Sequence, residues 1–292
     1  MRLASFVAFV VLVCNSPAAA PSLDEILARS RQALGNVAAL KSLSITGVRR
    51  ISVEADGGSR TISNEEELHF LLPARFLKST AMELPNGLPG PTIVEALDGE
   101  ASWRDTRNTP AGGNIVIRMG PPGGGPEGPD AEQTRTRLLR ATYLRYWLIY
   151  TLTPPSGMPV SFTYGGEAES PDGKAWIIDA AGPDQFSLRV FIDQQSYLPL
   201  MATWRGSQAV RTMVRRVQGA GPAEVKAGVP SLPEMPKPRE VAFQLRLSEY
   251  AKYGGVLLPK VMTLAADGKP AEEFEIKSAK INPNLKPEKF RK

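Results

Sequence analysis

The residues able to do chemistry are few, and their spacing offers little. The chain has one histidine, His69, and one cysteine, Cys14. His69 stands between Leu68 and Phe70 in an alternating stretch, which places it on the polar, solvent-facing side of a strand. One histidine and one cysteine cannot make a His/Cys zinc cluster. A Cys–His nucleophilic pair would need Cys14, which lies in an apolar leader. A Ser–His–Asp arrangement would need His69 as its base, and no Gly-x-Ser-x-Gly elbow accompanies it. Asp98 and Glu100 flank Gly99 and read as a turn, and Glu65-Glu66-Glu67 reads as a solvated strand face. A carboxylate pair works in acid–base catalysis only when burial separates the two pKa values, and neither pattern implies burial. Gly123-Gly124-Gly125 precedes no Lys-Ser/Thr, so it is not a phosphate cradle. The sequence therefore points to no catalytic residues, no metal and no cofactor.

The most informative local pattern is aromatic. Leu139, Tyr143, Tyr146, Trp147 and Tyr150 recur at helical spacing and form one face, with Arg135, Arg137, Arg140 and Arg145 on others. This face either packs a core or lines a cavity, with the arginines solvated or meeting acidic groups. Trp103, Trp176 and Trp204 are further candidates for a cavity wall.

These residues must be positioned by strands. After a short helix with Ser22 and Glu25 as a capping pair and Gly35 as its stop, the apolar period changes from about 3.6 to 2. Leu43, Ile45, Ile51 and Val53 share one parity, and Asp56-Gly57-Gly58 turns the chain before Leu68, Phe70 and Leu72 alternate in turn. Similar signals recur to Ile281, giving about eleven strands. A second helix is expected from about Ala131 to Tyr150, with Asp130 and Gln133 resembling a capping pair. Two Gly/Pro-rich stretches, at about 106–130 and 219–239, interrupt the pattern as loops. Hairpin-like spacing argues an antiparallel sheet that curls strongly rather than a βαβ fold.

Residues 1–20 read as a secretory signal peptide: Arg2, an apolar run from Leu3 to Val13, then Ser16-Pro17-Ala18-Ala19-Ala20. The run is about 11 residues, short of the ~20 a spanning helix needs. Cleavage predicts a mature chain in the periplasm; retention and lipidation of Cys14 would instead anchor it, although Val13 is not the small residue such a site favours. Residues 21–292 then form a single domain without cysteine, stabilised by burial alone. Hydrophobic residues at 42% and charged residues at 22% are ordinary for a globular domain. The net charge of +5 is scattered, which excludes a nucleic-acid stripe and leaves room for peripheral contact with anionic lipid.

The order of short motifs carries a family resemblance. Leu23-Asp24-Glu25-Ile26-Leu27 leads through Gly35 and Leu40-Lys41-Ser42-Leu43 into Ser44-Ile45-Thr46-Gly47. Asp98-Gly99 precedes Trp103, and Asp193, Tyr197-Leu198-Pro199 and Trp204 follow. Gly254-Gly255-Val256-Leu257-Leu258-Pro259 and Ile281-Asn282-Pro283-Asn284-Leu285 close the chain. The pattern resembles the periplasmic LolA/LolB-like superfamily, in particular its outer membrane lipoprotein-sorting relatives. That resemblance implies a mainly β fold, an unclosed antiparallel half-barrel with two helices packed on its concave side. It also implies a monomeric, non-enzymatic carrier holding lipid or lipoprotein acyl chains; it assigns no binding residue, and the eight cavity candidates named above rest on the aromatic pattern alone. The alternative is a non-catalytic structural module that fills its own concave side and meets an envelope protein partner.

Overall fold

The computed structural model describes residues 21–55, 58–84, 89–108, 115–119, 129–170, 173–208, 211–215 and 239–292. Helix α1 (Leu23–Leu34) opens this part of the chain. The Ser22 side chain accepts a hydrogen bond from the Glu25 backbone at 3.2 Å, satisfying one of the donors that a helix start leaves unpaired. Gly35 ends the helix at φ +94°, and a Cβ there would stand 2.2 Å from the Gly255 carbonyl oxygen. Only glycine allows that approach.

Five strands follow by successive hairpins: β1 (Ser42–Ala55), β2 (Gly58–Leu71), β3 (Arg75–Glu83), β4 (Pro89–Asp98) and β5 (Ala101–Arg107). A short strand β6 (Ile115–Met119) precedes helix α2 (Pro129–Thr151). Then come β7 (Ser161–Ser170), β8 (Gly173–Ala181), β9 (Ser187–Asp193), β10 (Pro199–Gln208), β11 (Arg211–Arg215), β12 (Arg239–Tyr253), β13 (Val256–Ala266) and β14 (Lys269–Ile281). Twelve of them make one antiparallel sheet in the order β5-β4-β3-β2-β1-β14-β13-β12-β10-β9-β8-β7. Its edges, β5 and β7, do not pair, so the sheet is an open half-barrel rather than a closed one. The expected fold class is met. β6 and β11 pair separately; β6 lies inside the stretch 106–130 expected as loop, whereas β11 precedes the second such stretch. Most of the loop residues at 106–130 and 219–239 lie outside the described residues, as does the leader. Fourteen strands among the described residues exceed the expected count of about eleven, and β6 among them lies in a stretch read as loop. Helix α2 begins at Pro129, ahead of the expected start; proline suits a first helical position because its missing N–H has no partner to lose.

The sheet has two different faces. On the concave one, Leu43, Ile45, Leu68, Phe70, Phe76 and Leu97 meet Leu139, Tyr143, Leu144, Trp147 and Tyr150 of α2 in the main core. The two ends of the sheet are tied to the same helix: Ser102 on β5 bonds Thr136 at 2.7 Å, and Asp184 after β8 pairs with Arg140 at 2.6 Å. Helix α2 thus spans the gap that the unclosed sheet leaves. On the convex face, a C-terminal strap ending in a 3₁₀ turn (Pro287–Phe290) inserts Phe290 among Leu77, Val94 and Ala96.

Candidate functional site

The concave side is the candidate site, and α2 largely fills it. Phe70 on β2 lies at the centre of an aromatic cluster. Its ring centroid is 5.0 Å from Phe76 and 6.1–6.5 Å from Tyr143, Tyr146, Trp147 and Tyr150. Tyr143 stacks on Trp147, and Tyr146 on Tyr150, each pair near 20°. Offset contacts of this kind add to the gain from area burial. The Tyr143 hydroxyl donates to the Pro73 carbonyl at 2.8 Å, so its polar end is satisfied inside the core. Burial pushes the Tyr143 and Tyr150 phenols above their usual range.

The sequence-derived candidates separate into three groups. Leu139, Tyr143, Tyr146, Trp147 and Tyr150 come together as expected, along one helix face. Trp176 packs against Tyr197 at 4.8 Å, further round the sheet, and Trp204 stacks on Phe243 at 5.3 Å. Trp103 is on the other face: its indole N–H donates to the Phe290 carbonyl at 2.7 Å beneath the strap. It therefore shares no space with α2.

A charged network adjoins the aromatic layer, and sequence reading missed it. Arg49 on β1 donates from Nε to Glu66 on β2 at 2.8 Å, from Nη1 to Glu272 on β14 at 3.0 Å, and from Nη2 to the Tyr146 hydroxyl at 3.0 Å. Lys78 approaches Glu66 at 3.4 Å, and the Arg49 guanidinium lies 4.8 Å over the Phe274 ring. Gly47, at the β-bulge beside this ring, has no room for a Cβ, which would stand 2.7 Å from Phe274. Glu66 is fully buried, so it is not part of a solvated face. Burial alone would raise its pKa, but the charges of Arg49 and Lys78 win and lower it to about 2. A signal was present: Glu66 shares parity with Leu68 and Phe70, and Arg49 with Leu43 and Ile45.

His69 also departs from expectation. It does lie on the convex parity, but the strap covers it and leaves it 7% exposed. Its Nδ1 is 2.8 Å from the Ser44 hydroxyl, and Lys289 of the strap donates to Nε2 at 2.9 Å. With Nε2 accepting, the ring proton sits on Nδ1 and points at Ser44. Glu67 lies 3.3 Å from the same Nε2, a longer contact than that of Lys289, and with the proton on Nδ1 His69 is no base for the Ser44 hydroxyl. Burial first, then the Lys289 charge, lower the imidazole pKa; Glu67 opposes them. Among the described residues no group of three or more His, Cys, Asp or Glu side chains could hold a metal ion. An open groove of about 760 Å³ beside the first turns of α2 is polar, lined among others by Glu132, Thr136, Arg137, Arg140 and Asp184. Its walls do not suit an acyl chain.

Solved structures resemble this chain at low sequence identity. A LolA superfamily protein from Nitrosomonas europaea is 10% identical, with 94% of this chain and 99% of that one covered and a TM-score of 0.50. A domain from Vibrio parahaemolyticus, described as an outer membrane lipoprotein-sorting protein, is 11% identical over 91% of this chain and 94% of its own, with a TM-score of 0.47. A DUF1329 family protein from Desulfovibrio piger is 12% identical over 91% and 94%, with a TM-score of 0.46. No family model and no curated protein matches the sequence. The fold is that of the LolA/LolB-like superfamily, as the short motifs implied.

Proposed function

We propose that this protein is an exported, non-enzymatic carrier that holds acyl chains of lipids or lipoproteins against the concave side of its half-barrel. The observation that carries the reading is an apolar concave wall that is not everywhere sealed by α2: Trp204, Phe243, Leu264 and Tyr146 remain part-exposed beside the helix. Burial of a chain gains about 0.8 kcal/mol per methylene, so an eight-carbon stretch on this wall would contribute on the order of 6 kcal/mol without any polar motif. Tyr143, Trp147 and Tyr150 would then act as the inner wall, with Trp176 next to them round the sheet. The signal peptide supports a periplasmic site of action. No helix among the described residues is long and apolar enough to cross a membrane.

A second reading rests on a different observation. Tyr143 and Tyr150 are completely buried and Trp147 nearly so, which also suits a structural or protein-interaction module whose concave side is filled by its own residues. Native mass spectrometry of protein isolated from a bacterial periplasm separates the two. The carrier is expected to retain an acyl-chain adduct that organic extraction removes. A clean apo mass, with no change in tryptophan emission when lipid is titrated in, favours the module. The N-terminal sequence of the same sample reports whether the leader and Cys14 have been removed.

A further inference from the structure

Arg145 is a cation on α2 with a buried nitrogen that finds no partner among the described residues. Its Nε is shut off from solvent with no acceptor among the described residues. Its guanidinium lies 4.8 Å over the Trp204 ring, and Trp204 is itself stacked on Phe243 at 5.3 Å and 23°. Arg135 Nε is buried and unpaired in the same way, whereas three other cations on this side have carboxylate partners. Arg49 has Glu66 and Glu272, Lys78 has Glu66, and Arg140 has Asp184. Burial lowers the Arg145 pKa to about 10, a cost Tyr146 offsets in part, and the group is still charged at neutral pH. The residue as a whole keeps some exposure. A desolvated guanidinium with unused donors is unfavourable alone, and a planar oxyanion matches its fork of N–H groups.

We propose that Arg145, with the Trp204–Phe243 shelf, binds the oxyanion head of an acidic amphiphile, so that the ligand class of this carrier is anionic lipid. Trp204 and Phe243 project to the same side as Ala202 and Leu245, which belong to the main core. The shelf therefore offers an apolar run leading inward from the charge. Gly206, the next residue on that side of β10, puts no side chain across the two rings. This inference rests on the carrier reading and adds to it a head-group requirement.

Isothermal titration of the mature chain at pH 8 with laurate, dodecanol and inorganic phosphate tests it. The expected result is laurate binding at least ~10-fold tighter than dodecanol, the scale of one charge-assisted contact, with phosphate alone far weaker than either. Arg145→Gln should reduce laurate to the level of dodecanol while leaving dodecanol unchanged, Arg145→Lys should fall between, and Arg137→Gln, an exposed arginine on α2, should change nothing. Equal binding of laurate and dodecanol by the unaltered protein overturns the inference and leaves the carrier intact. Binding of neither overturns the carrier and the inference with it. Phosphate binding as tightly as laurate reduces the site to one for simple anions and overturns the lipid class. Should Arg145→Gln not fold, the laurate-to-dodecanol ratio of the unaltered protein and of Arg145→Lys still decides.

Discussion

One sheet presents two faces, and each buries charged or titratable groups by a different route. On the concave face, Arg49, Glu66, Lys78 and Glu272 bring two positive and two negative charges together. On the convex face, His69 is buried next to a cation, Lys289, and is kept neutral. The first arrangement compensates its desolvation with opposite charge; the second avoids the charge altogether. Removing one partner should therefore be costly on the concave face, whereas the convex face should respond mainly to pH and to loss of the apolar strap.

The largest effect is expected on the concave face. Glu66→Ala leaves Arg49 and Lys78 buried around an empty site and should cost about 3–5 kcal/mol in urea unfolding. The double replacement Arg49→Met with Glu66→Leu should cost less than the sum of the singles, because the Arg49–Glu66 pairing is lost once in the double but counted in each single. A double variant as unstable as the two singles added together would show that Arg49 and Glu66 are not coupled.

On the convex face, Phe290→Ala should cost about 3 kcal/mol, the scale of deleting a fully buried phenylalanine. It should also loosen the strap that Trp103 holds by its indole N–H. Loss of stability together with a red shift of tryptophan emission is the expected signature, with α2 helicity retained by circular dichroism. A smaller loss, about 1 kcal/mol, is expected for Tyr143→Phe, which removes only the hydrogen bond to Pro73.

The pH response completes the comparison. The folded-state pKa of His69 lies below its unfolded value of about 6.5. The unfolded chain therefore binds the proton first, and stability that is complete above about pH 6.5 is lost as pH falls through the folded pKa. His69→Gln should remove that part of the slope between pH 7.5 and 5 in thermal unfolding. Since the sequence has one histidine, its imidazole resonances report the same titration without assignment. Glu66 acts at the other end of the scale: its stabilisation is present above the unfolded value near 4.3 and fades only as pH approaches 2.

Much of the fold was legible because burial on one side of a strand imposes a period of two. Leu43, Ile45, Leu68 and Phe70 are buried as their parity implied, and Gly35 ends α1 where a positive φ is required. The aromatic face of α2 was legible for the same reason, through helical spacing. β6 was not, since it lies in a Gly/Pro-rich stretch and its partner β11 is far along the chain. The pairing of Arg49 with Glu66 and Glu272 was half visible. Parity placed each on an apolar side, but which strands adjoin is a matter of topology, and β1 lies between β2 and β14 only because the C-terminal hairpins return to the first strand.

The sequence by itself determined the alternation, the two helices, the turns and the scarcity of catalytic residue types, because these depend on neighbours a few positions apart. Tertiary structure decided which polar side chains are buried. Glu66 and His69 both looked solvated in the sequence, and each became buried only when a distant segment covered it: α2 over the concave face, the C-terminal strap over the convex one. Arg145 follows the same logic. Its position on the helix was readable, but the burial of its unpaired Nε beside Trp204 depends on β10 lying under that turn of α2.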